Sequence, residues 1–183
     1  MRKSREEAAE TRKRIVTAAS RSFRKDGVVA SGLNDLMSAA GLTHGGFYKH
    51  FESKDQLVAE ACAAAMGALI QKLTDAGPGA VAAYLSDWHR DNPGEGCPLS
   101  SIGSELGRTD DRTRAVATDG FSKLVELIAA QFEGVPPASA RRRALVAVST
   151  MIGAVTMARI VTDPELSAEI LWEAEKSLMA ARS

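Results

Sequence analysis

The stretch LNDLMSAAGLTHGGFYKHFESKDQL, residues 33–57, decides the fold of this chain. Its apolar residues recur three and four positions apart, which is the spacing of one helix face. The spacing predicts a short helix over residues 33–40, with Ser31 as its N-cap and Gly41 closing it. Thr43 is a good N-cap for another short helix, the third of the chain. Two short helices therefore follow each other across a tight glycine-containing turn, a unit that often enters the major groove of DNA.

Two adjacent glycines, Gly45 and Gly46, fall in the first turn of this third helix, where each costs about 1 kcal/mol relative to alanine. Phe47 and Phe51 are four residues apart and share one face, which we expect to be buried because no other large apolar side chain is available there. Gly45 and Lys49 then lie on the exposed face. Bare backbone at a helix N-terminus lets a bulky anion approach its N–H groups. The alternative is that the glycines are merely tolerated on a solvated helix.

Charge is distributed unevenly along the 183 residues, although the formal net charge is zero. Residues 1–54 carry 11 Lys and Arg against 6 Asp and Glu, whereas the remainder carries 12 against 17. Opposite charge balances in two regions indicate a division of labour, and the basic region contains the helix pair. The charge pattern therefore favours a DNA duplex as the partner of the N-terminal region.

Several classes of protein are disfavoured by composition. Cys62 and Cys97 are too few for a disulfide framework, and the N-terminus lacks the apolar core of a secretory signal. The most apolar run, residues 144–160, falls short of a membrane span. The three histidines are scattered, so we expect no metal, and no phosphate-binding loop or nucleophile motif suggests a cofactor or an enzyme. A reduced, cytoplasmic protein without membrane contact is expected.

Helical spacing recurs along the whole chain, and strict alternation is rare, so the fold class is all-α. Ser4 and Glu7 fit a capping box for the first helix, which Gly27 ends, and Ser53 and Gln56 fit one for a long helix over residues 54–73. A further helix follows the Gly77–Gly79 break and includes Trp88. The later helices are expected over residues 111–133, 138–161 and 164–181.

The helix pair, together with TRKRIVTAASRSFRKDG at residues 11–27, resembles the DNA-binding domain of the TetR family of bacterial transcriptional regulators. The resemblance covers residues 8–60. It rests on the turn glycine, the threonine cap, the glycine pair, the aromatic residues and the lysine that follows them. It implies an N-terminal three-helix domain over residues 1–53 and a C-terminal helical domain for ligand binding and dimerisation over residues 54–183, connected by the helix at 54–73.

The resemblance also implies roles for single residues in binding double-stranded DNA, in which phosphate contacts position the protein and base contacts specify sequence. Arg2, Lys3 and Arg5 are expected either to follow the DNA backbone as an arm or to form a solvated terminus. Positions that hold phosphates are matched by Thr43, Tyr48 and Lys54. Positions that face base edges or the groove wall are matched by His44, Gly45, Gly46, Lys49 and His50.

The helix at 138–161 is apolar on nearly all sides and must be buried on nearly all sides, which a chain of this size cannot easily achieve alone. In the family, the last two helices form a dimeric four-helix bundle, and the alternative is an intramolecular core. A homodimer presents two copies of the third helix about 34–36 Å apart and predicts a palindromic operator. The expected interface residues are Leu145, Val148, Ile152, Val155, Ile170, Leu171 and Leu178.

A pocket in the C-terminal region is expected to bind a lipophilic small-molecule effector, because such pockets are mostly apolar with a few polar groups. Cys97 precedes Pro98 at a helix N-terminus, a position that lowers a thiol pKa, although a buried and inert cysteine is favoured. For each lining residue, plain core is the alternative. The candidate lining residues are Tyr84, Trp88, His89, Cys97, Phe121, Met151 and Met157.

The sequence therefore predicts a homodimeric regulator, by family analogy a repressor, that a small molecule releases from its operator. One rival is a helical ligand-binding module that no longer binds DNA, and another is an enzyme with Cys97 as nucleophile. A third is an activator of the same fold, which the sequence does not separate from a repressor.

Overall fold

A computed structural model describes residues 5–181, apart from the side chain of His44. The described part is all-helical, as predicted, and contains no strand. This part contains nine α-helices and a six-residue 3-10 helix, which we call the third helix because it is the third helix along the chain. In chain order they are α1 (Arg5–Asp26), α2 (Leu33–Ala39), the third helix (His44–Lys49), α3 (Lys54–Ala76), α4 (Ala80–Tyr84), α5 (Asp87–Asp91), α6 (Pro98–Leu106), α7 (Asp111–Ala129), α8 (Pro137–Ile160) and α9 (Pro164–Ala180).

The turn from α1 to α2 differs from its prediction in one detail. Gly27 ends α1 with φ +90°, which confirms its left-handed cap. Ser31 is not the N-cap of α2, so that prediction was wrong. Gly32 takes the N-cap position without a side-chain bond, and the Ser31 hydroxyl donates instead to the Gly27 carbonyl at 2.7 Å. Serine competes for local backbone groups in turns as well as at helix starts. The Ser4 cap of α1 lies outside the described residues.

The turn after α2 is a Schellman motif built on Gly41, which has φ +71°. The Leu42 N–H donates to the Met37 carbonyl, and the Gly41 N–H donates to the Ser38 carbonyl, each at 2.9 Å. Glycine is required because a residue with a Cβ rarely adopts this conformation. The motif stops α2 abruptly and turns the chain into the third helix within three residues.

The third helix is a 3-10 helix, whereas the sequence predicted an α-helix. It is six residues long, and short helical segments commonly adopt the tighter geometry. Gly45 and Gly46 weaken the α-helical alternative further. Thr43 occupies the predicted N-cap position in extended conformation, but its side chain makes no capping hydrogen bond.

The other predicted elements are present with shifted ends. Ser53 caps α3 by accepting the Gln56 N–H at 3.1 Å, while the Gln56 side chain accepts the Glu52 N–H at 2.8 Å, one residue before the expected reciprocal partner. The helix expected around Trp88 is divided into α4 and α5, and α7 ends earlier than predicted. Pro98 takes the first position of α6, as expected.

The core runs through both halves of the chain, because α3 packs against α1 on one side and α7 on the other. Helix α8 packs between α7 and α9. Residues Lys54–Tyr84 and Pro137–Ile160 are long and apolar enough to cross a membrane by length and composition alone. The second stretch contains the apolar run 144–160 and extends it by seven residues. Eight residues of α8 lie in the core. A helix buried in a packed bundle can have the same length and hydropathy as a membrane span.

Candidate nucleic-acid interface

Two phenylalanines hold the third helix on the domain from behind. Phe47 is 0% exposed and Phe51 is 2% exposed, and their rings stack with centres 5.5 Å apart. The predicted buried face is therefore confirmed. Side chains of this size contribute about 1.5–3 kcal/mol each when fully buried. These two anchors fix which face of the short helix points outward.

A charged pair supports Phe51 from the other side. The Arg12 guanidinium carbon lies 4.2 Å from the centre of the Phe51 ring, a cation–π distance. Arg12 also donates to both carboxylate oxygens of Glu60 on α3, at 2.5 and 3.2 Å. Because the fork engages two oxygens at once, its geometry is fixed more firmly than that of a single contact. Helices α1 and α3 are thus joined directly behind the third helix.

The outward face of the third helix carries little side-chain bulk at its start. Gly45 is exposed, and a Cβ added there would meet nothing within 4 Å, so packing within the chain does not require this glycine. At Gly46 a Cβ would reach an ordinary 3.6 Å contact with Met37. Tyr48 is 68% exposed, and Lys49 is exposed beside it. A second molecule can therefore approach the backbone closely, with a phenol and an ammonium next to it.

The flanking candidates are placed less uniformly. Thr43 is exposed and His50 is half-buried. The Lys54 ammonium donates to the Val28 carbonyl at 2.6 Å, so one of its three donors is already engaged within the domain. The side chain of His44 is outside the described atoms, as are Arg2 and Lys3 of the predicted arm. Arg5, the third arm residue, is the exposed first residue of α1.

Arg14 is a positioning residue that the sequence did not reveal. Its guanidinium donates to the Ala40 carbonyl at the end of α2 at 2.5 Å, which ties α1 to the turn that carries the third helix. Arg14 also lines a cleft of about 570 Å³ beside Gly41, together with Lys13 and Arg21. The only signal in the sequence was the local excess of basic residues, which does not say which of them faces the turn.

This arrangement of exposed third helix and Gly41 turn agrees with two family models that together span most of the chain. Residues 15–61 match the model described as bacterial regulatory proteins of the TetR family, and residues 78–166 match the LmrA/YxaF-like transcriptional regulator C-terminal domain. The chain belongs to the TetR family. It is therefore a transcriptional regulator with a helix-turn-helix DNA-binding domain and not an enzyme.

Individual relatives agree with this assignment. The TetR-family chain is 28% identical over 166 residues to the HTH-type transcriptional regulator Rv0196 of Mycobacterium tuberculosis, covering 83% of this chain and 86% of that protein. It is 46% identical over 54 residues to the HTH-type transcriptional repressor BepR of Brucella suis, covering 30% and 26%. A TetR regulator structure from Chloroflexus aurantiacus superposes with a TM-score of 0.68 at 29% identity, covering 94% of each chain.

The predicted pocket residues do not form one lining in this TetR-family fold. Trp88 and Met157 are each 47% exposed, and Phe121 is half-buried. A cleft of about 600 Å³ lies elsewhere, between the C-terminal ends of α3 and α7, and none of the predicted residues lines it. Its lining residues are Ile70, Leu73, Thr74, Gly77, Pro78, Lys123, Glu126, Leu127, Ala130, Gln131 and Glu133.

The other four predicted pocket residues are fully buried, and three of them form a polar cluster around His89. The His89 ring lies edge-on to the Tyr84 ring, with centres 4.5 Å apart. Its Nε2 accepts the Cys97 N–H at 2.8 Å, so its Nδ1 carries the proton that it donates to the Tyr84 carbonyl at 2.6 Å. Met151 is also 0% exposed. A Cβ on Gly96 would lie 2.4 Å from this ring, so a glycine is needed there.

Arg159 of α8 joins the cluster to its surroundings. Its guanidinium donates to the His89 and Arg90 carbonyls at 2.6 and 3.0 Å, and to the hydroxyls of Ser100 and Ser101 at 3.2 and 3.0 Å. A single side chain thereby holds α5, α6 and α8 together. The cluster stabilises the position of α6 from its N-terminal end.

Burial sets the protonation of this cluster. It raises the pKa of the Cys97 thiol and places that of Tyr84 well above its usual range. The position of Cys97 at a helix N-terminus predicted a lowered thiol pKa, but desolvation by burial outweighs that effect here. Burial also raises the pKa of Cys62 to about 11. Both cysteines are free and buried, which favours the interpretation of Cys97 as an inert core residue.

Four of the seven predicted dimer residues lie in the chain's own core. Their assignment to an interface was therefore wrong, because they lie on the inward faces of α8 and α9. Val148 and Val155 are 0% exposed, and Leu171 and Leu178 are also buried. Ile152 and Ile170 are half-buried, and Leu145 is 36% exposed. Besides Leu145, the large apolar residues that α8 and α9 expose are Val146, Met157, Ile160, Leu166, Trp172 and Met179.

Proposed function

We propose that the protein is a homodimeric, ligand-responsive repressor that binds a palindromic DNA operator through the third helix. The observation that carries this proposal is the pair of buried anchors, Phe47 and Phe51, behind an outward face that is bare at Gly45. That face gives a duplex access to backbone N–H groups. The name of BepR, a repressor that is similar to this chain over 54 residues, supports the sign of regulation. As a regulator of bacterial genes, it acts in the cytoplasm.

The exposed side chains divide into two proposed roles. Thr43 and Tyr48 hold phosphates, joined by Lys54 through donors that Val28 does not occupy. Lys49 contacts base edges, because it lies on the same exposed face as Gly45, and His44, Gly46 and His50 line the groove around it. Phosphate contacts fix the register of the protein, and base contacts select the sequence.

Selection of bound sequences from a random DNA pool tests the proposal, and a palindrome is the expected product. On the selected operator, Tyr48→Ala is expected to weaken binding by about 1.5–3 kcal/mol regardless of sequence, because it removes a hydrogen bond to a charged group. Lys49→Ala is expected to cost about 1–3 kcal/mol and to change the preferred bases. Binding is measured by gel shift across a salt series, in which affinity must fall steeply as salt rises. If both variants bound like the parent, the site would be misassigned.

The dimer is proposed to form through an exposed apolar stripe on α8 together with α9. Val146, Gly153, Met157 and Ile160 recur at helical spacing on one side of α8, and a Cβ on Gly153 would meet nothing within 4 Å. On α9, Trp172 is 58% exposed. Large apolar groups around a small residue suit a partner helix that approaches closely, and a monomer would leave this stripe in water.

The double variant Ile160→Glu with Trp172→Glu is expected to be monomeric at micromolar concentration, because two charges would be buried without partners. Sedimentation equilibrium against the parent measures this change. Ser177→Glu adds a charge on another side of α9 and is expected to leave the dimer intact. A parent protein that sediments as a monomer would contradict the proposal, as would a double variant that remains dimeric.

The ligand response is proposed to be a population shift. In one state the two third helices match the spacing of the operator half-sites, and in the other they do not. A lipophilic effector releases the repressor if it binds the second state more tightly than the first. The cleft between α3 and α7 offers such a molecule apolar and polar groups together. A reporter gene downstream of the selected operator separates repressor from activator, since deletion of the regulator raises expression only for a repressor.

A further inference from the structure

The turn between α1 and α2 is held from the C-terminal domain by one carboxylate. Glu105 lies near the end of α6, and its Oε2 accepts the Val28 N–H at 2.6 Å and the Val29 N–H at 3.2 Å. These residues are 77 and 76 positions away in sequence. A Cβ on Gly27 would lie 2.8 Å from the Glu105 carboxylate, so the glycine leaves room for it.

The same turn is held from the opposite direction by Lys54, the first residue of α3. Its ammonium donates to the Val28 carbonyl, so the N–H and the carbonyl of Val28 bond to charged groups of opposite sign. Hydrogen bonds to charged groups are about twice as strong as neutral ones. We call Glu105, Val28 and Lys54 the clasp. It connects α6 to the residue that begins α3, five positions after the third helix ends.

The other end of α6 is fixed to the buried cluster. Cys97, its N-cap residue, donates its N–H to His89, and the hydroxyl of Ser100 accepts from Arg159. Arg24 of α1 donates to the Gly96 carbonyl at 2.8 Å, directly before this helix. Helix α6 therefore contacts the C-terminal core at its start and the DNA-binding domain at both ends.

We propose that Glu105 is a positioning residue for DNA recognition. Through the clasp it sets the orientation of the DNA-binding domain on the C-terminal domain, and in the dimer it thereby sets the separation of the two third helices. This inference rests on the proposed function for its consequence at the operator. Displacement of α6 from within the C-terminal domain would pull the carboxylate from the Val28 and Val29 amides and free that orientation.

Spin labelling tests the orientation without DNA. Lys49→Cys places a label on the exposed side of the third helix, and the native cysteines are too buried to react. Distances between the two labels of the dimer are measured by double electron–electron resonance. The parent is expected to give one narrow distribution, and Glu105→Ala a broad one. Glu105→Gln keeps an acceptor oxygen and should restore most of the narrow distribution. If the parent is a monomer, a second label at Glu126→Cys reports the same orientation within one chain.

Two further measurements make the outcome decisive. Amide hydrogen exchange at Val28 and Val29 should accelerate about tenfold or more in Glu105→Ala, whereas Gly27, whose N–H donates to Phe23, should be unchanged. On palindromes whose half-site spacing varies by single base pairs, Glu105→Ala should lose about five- to tenfold of the parent's discrimination. Asp111→Ala removes an equal charge from a fully exposed side chain at the start of α7 and should match the parent.

Superimposable distance distributions and unchanged exchange in Glu105→Ala would overturn the inference. If Glu105→Ala fails to fold, Glu105→Met decides instead, because it keeps most of the side-chain bulk but offers the two amides no oxygen acceptor. That variant must then show a broadened distribution and faster exchange at Val28 and Val29. Failure of the parent to bind any DNA would refute the proposed function instead, and the distance and exchange readouts would still test the clasp.

Discussion

Phe47→Ala is expected to lower the free energy of unfolding by about 3–5 kcal/mol, the range for removing a large aromatic side chain from a packed core. Phe47 is 0% exposed and stacks on Phe51, so its removal leaves a cavity beneath a helix of only six residues. Such a helix has no long hydrogen-bonded ladder to hold it in place. We therefore expect operator binding to be lost in this variant even where the C-terminal helices remain folded.

Urea denaturation followed by circular dichroism measures the stability, and gel shift measures the binding. Tyr48→Ala is the matched control, because it removes an adjacent aromatic side chain that is 68% exposed. It should change the unfolding free energy by less than about 0.5 kcal/mol while still weakening DNA binding. A Phe47→Ala protein as stable as the parent would show that the third helix is held by something other than this anchor.

The N-terminal region was predictable because its signals are local. The spacing of Phe47 and Phe51 determines the buried face of the third helix, and Gly41 in the turn determines where α2 stops. The two wrong predictions in this region, the cap of α2 and the type of the third helix, each concern local conformations of similar free energy. Ser31 can cap a helix or bond to the Gly27 carbonyl, and six residues with two glycines can adopt either of two helix types.

The C-terminal region was less predictable because its decisive contacts are distant in sequence. Helix α8 is apolar nearly all round, so periodicity alone did not distinguish Val148 and Val155, which face the core, from Val146, which faces out. Glu105 bonds to a turn 77 residues away, and Arg159 to carbonyls about 70 residues away. Polar residues on a helix are usually solvated, and no local pattern marks those that fix one domain on another.

Acid is expected to destabilise the fold through His89. The neutral ring is required, because a proton on Nε2 would replace the acceptor of the Cys97 N–H with a second donor. Burial lowers the pKa of His89 to about 4. The positive charges of Arg159, Lys72 and Arg24 act in the same direction, and the Tyr84 carbonyl opposes them. In the unfolded chain the pKa returns to about 6.5.

Between pH 6.5 and 4, His89 therefore binds a proton in the unfolded state but not in the folded state. The stability that neutral His89 contributes is complete above pH 6.5 and is lost as the pH falls toward 4. One pKa unit corresponds to about 1.4 kcal/mol, so the loss between pH 7.5 and pH 4.5 should be about 2.5 kcal/mol from this residue alone.

Urea unfolding at the two pH values measures the total loss, and His89→Gln isolates the part that belongs to His89. Glutamine offers one donor and one acceptor without titrating in this range, whereas the remaining carboxylates and histidines are common to both proteins. The parent should lose about 2.5 kcal/mol more than the variant on acidification. Equal losses would mean that His89 accepts a proton in the folded state, and that the Cys97 N–H does not depend on the neutral ring. Cys97 is the N-cap of α6, whose other end holds the α1–α2 turn through Glu105. The same acidification should therefore also lower the protection of the Val28 amide, measured against its intrinsic exchange rate at each pH, before global unfolding.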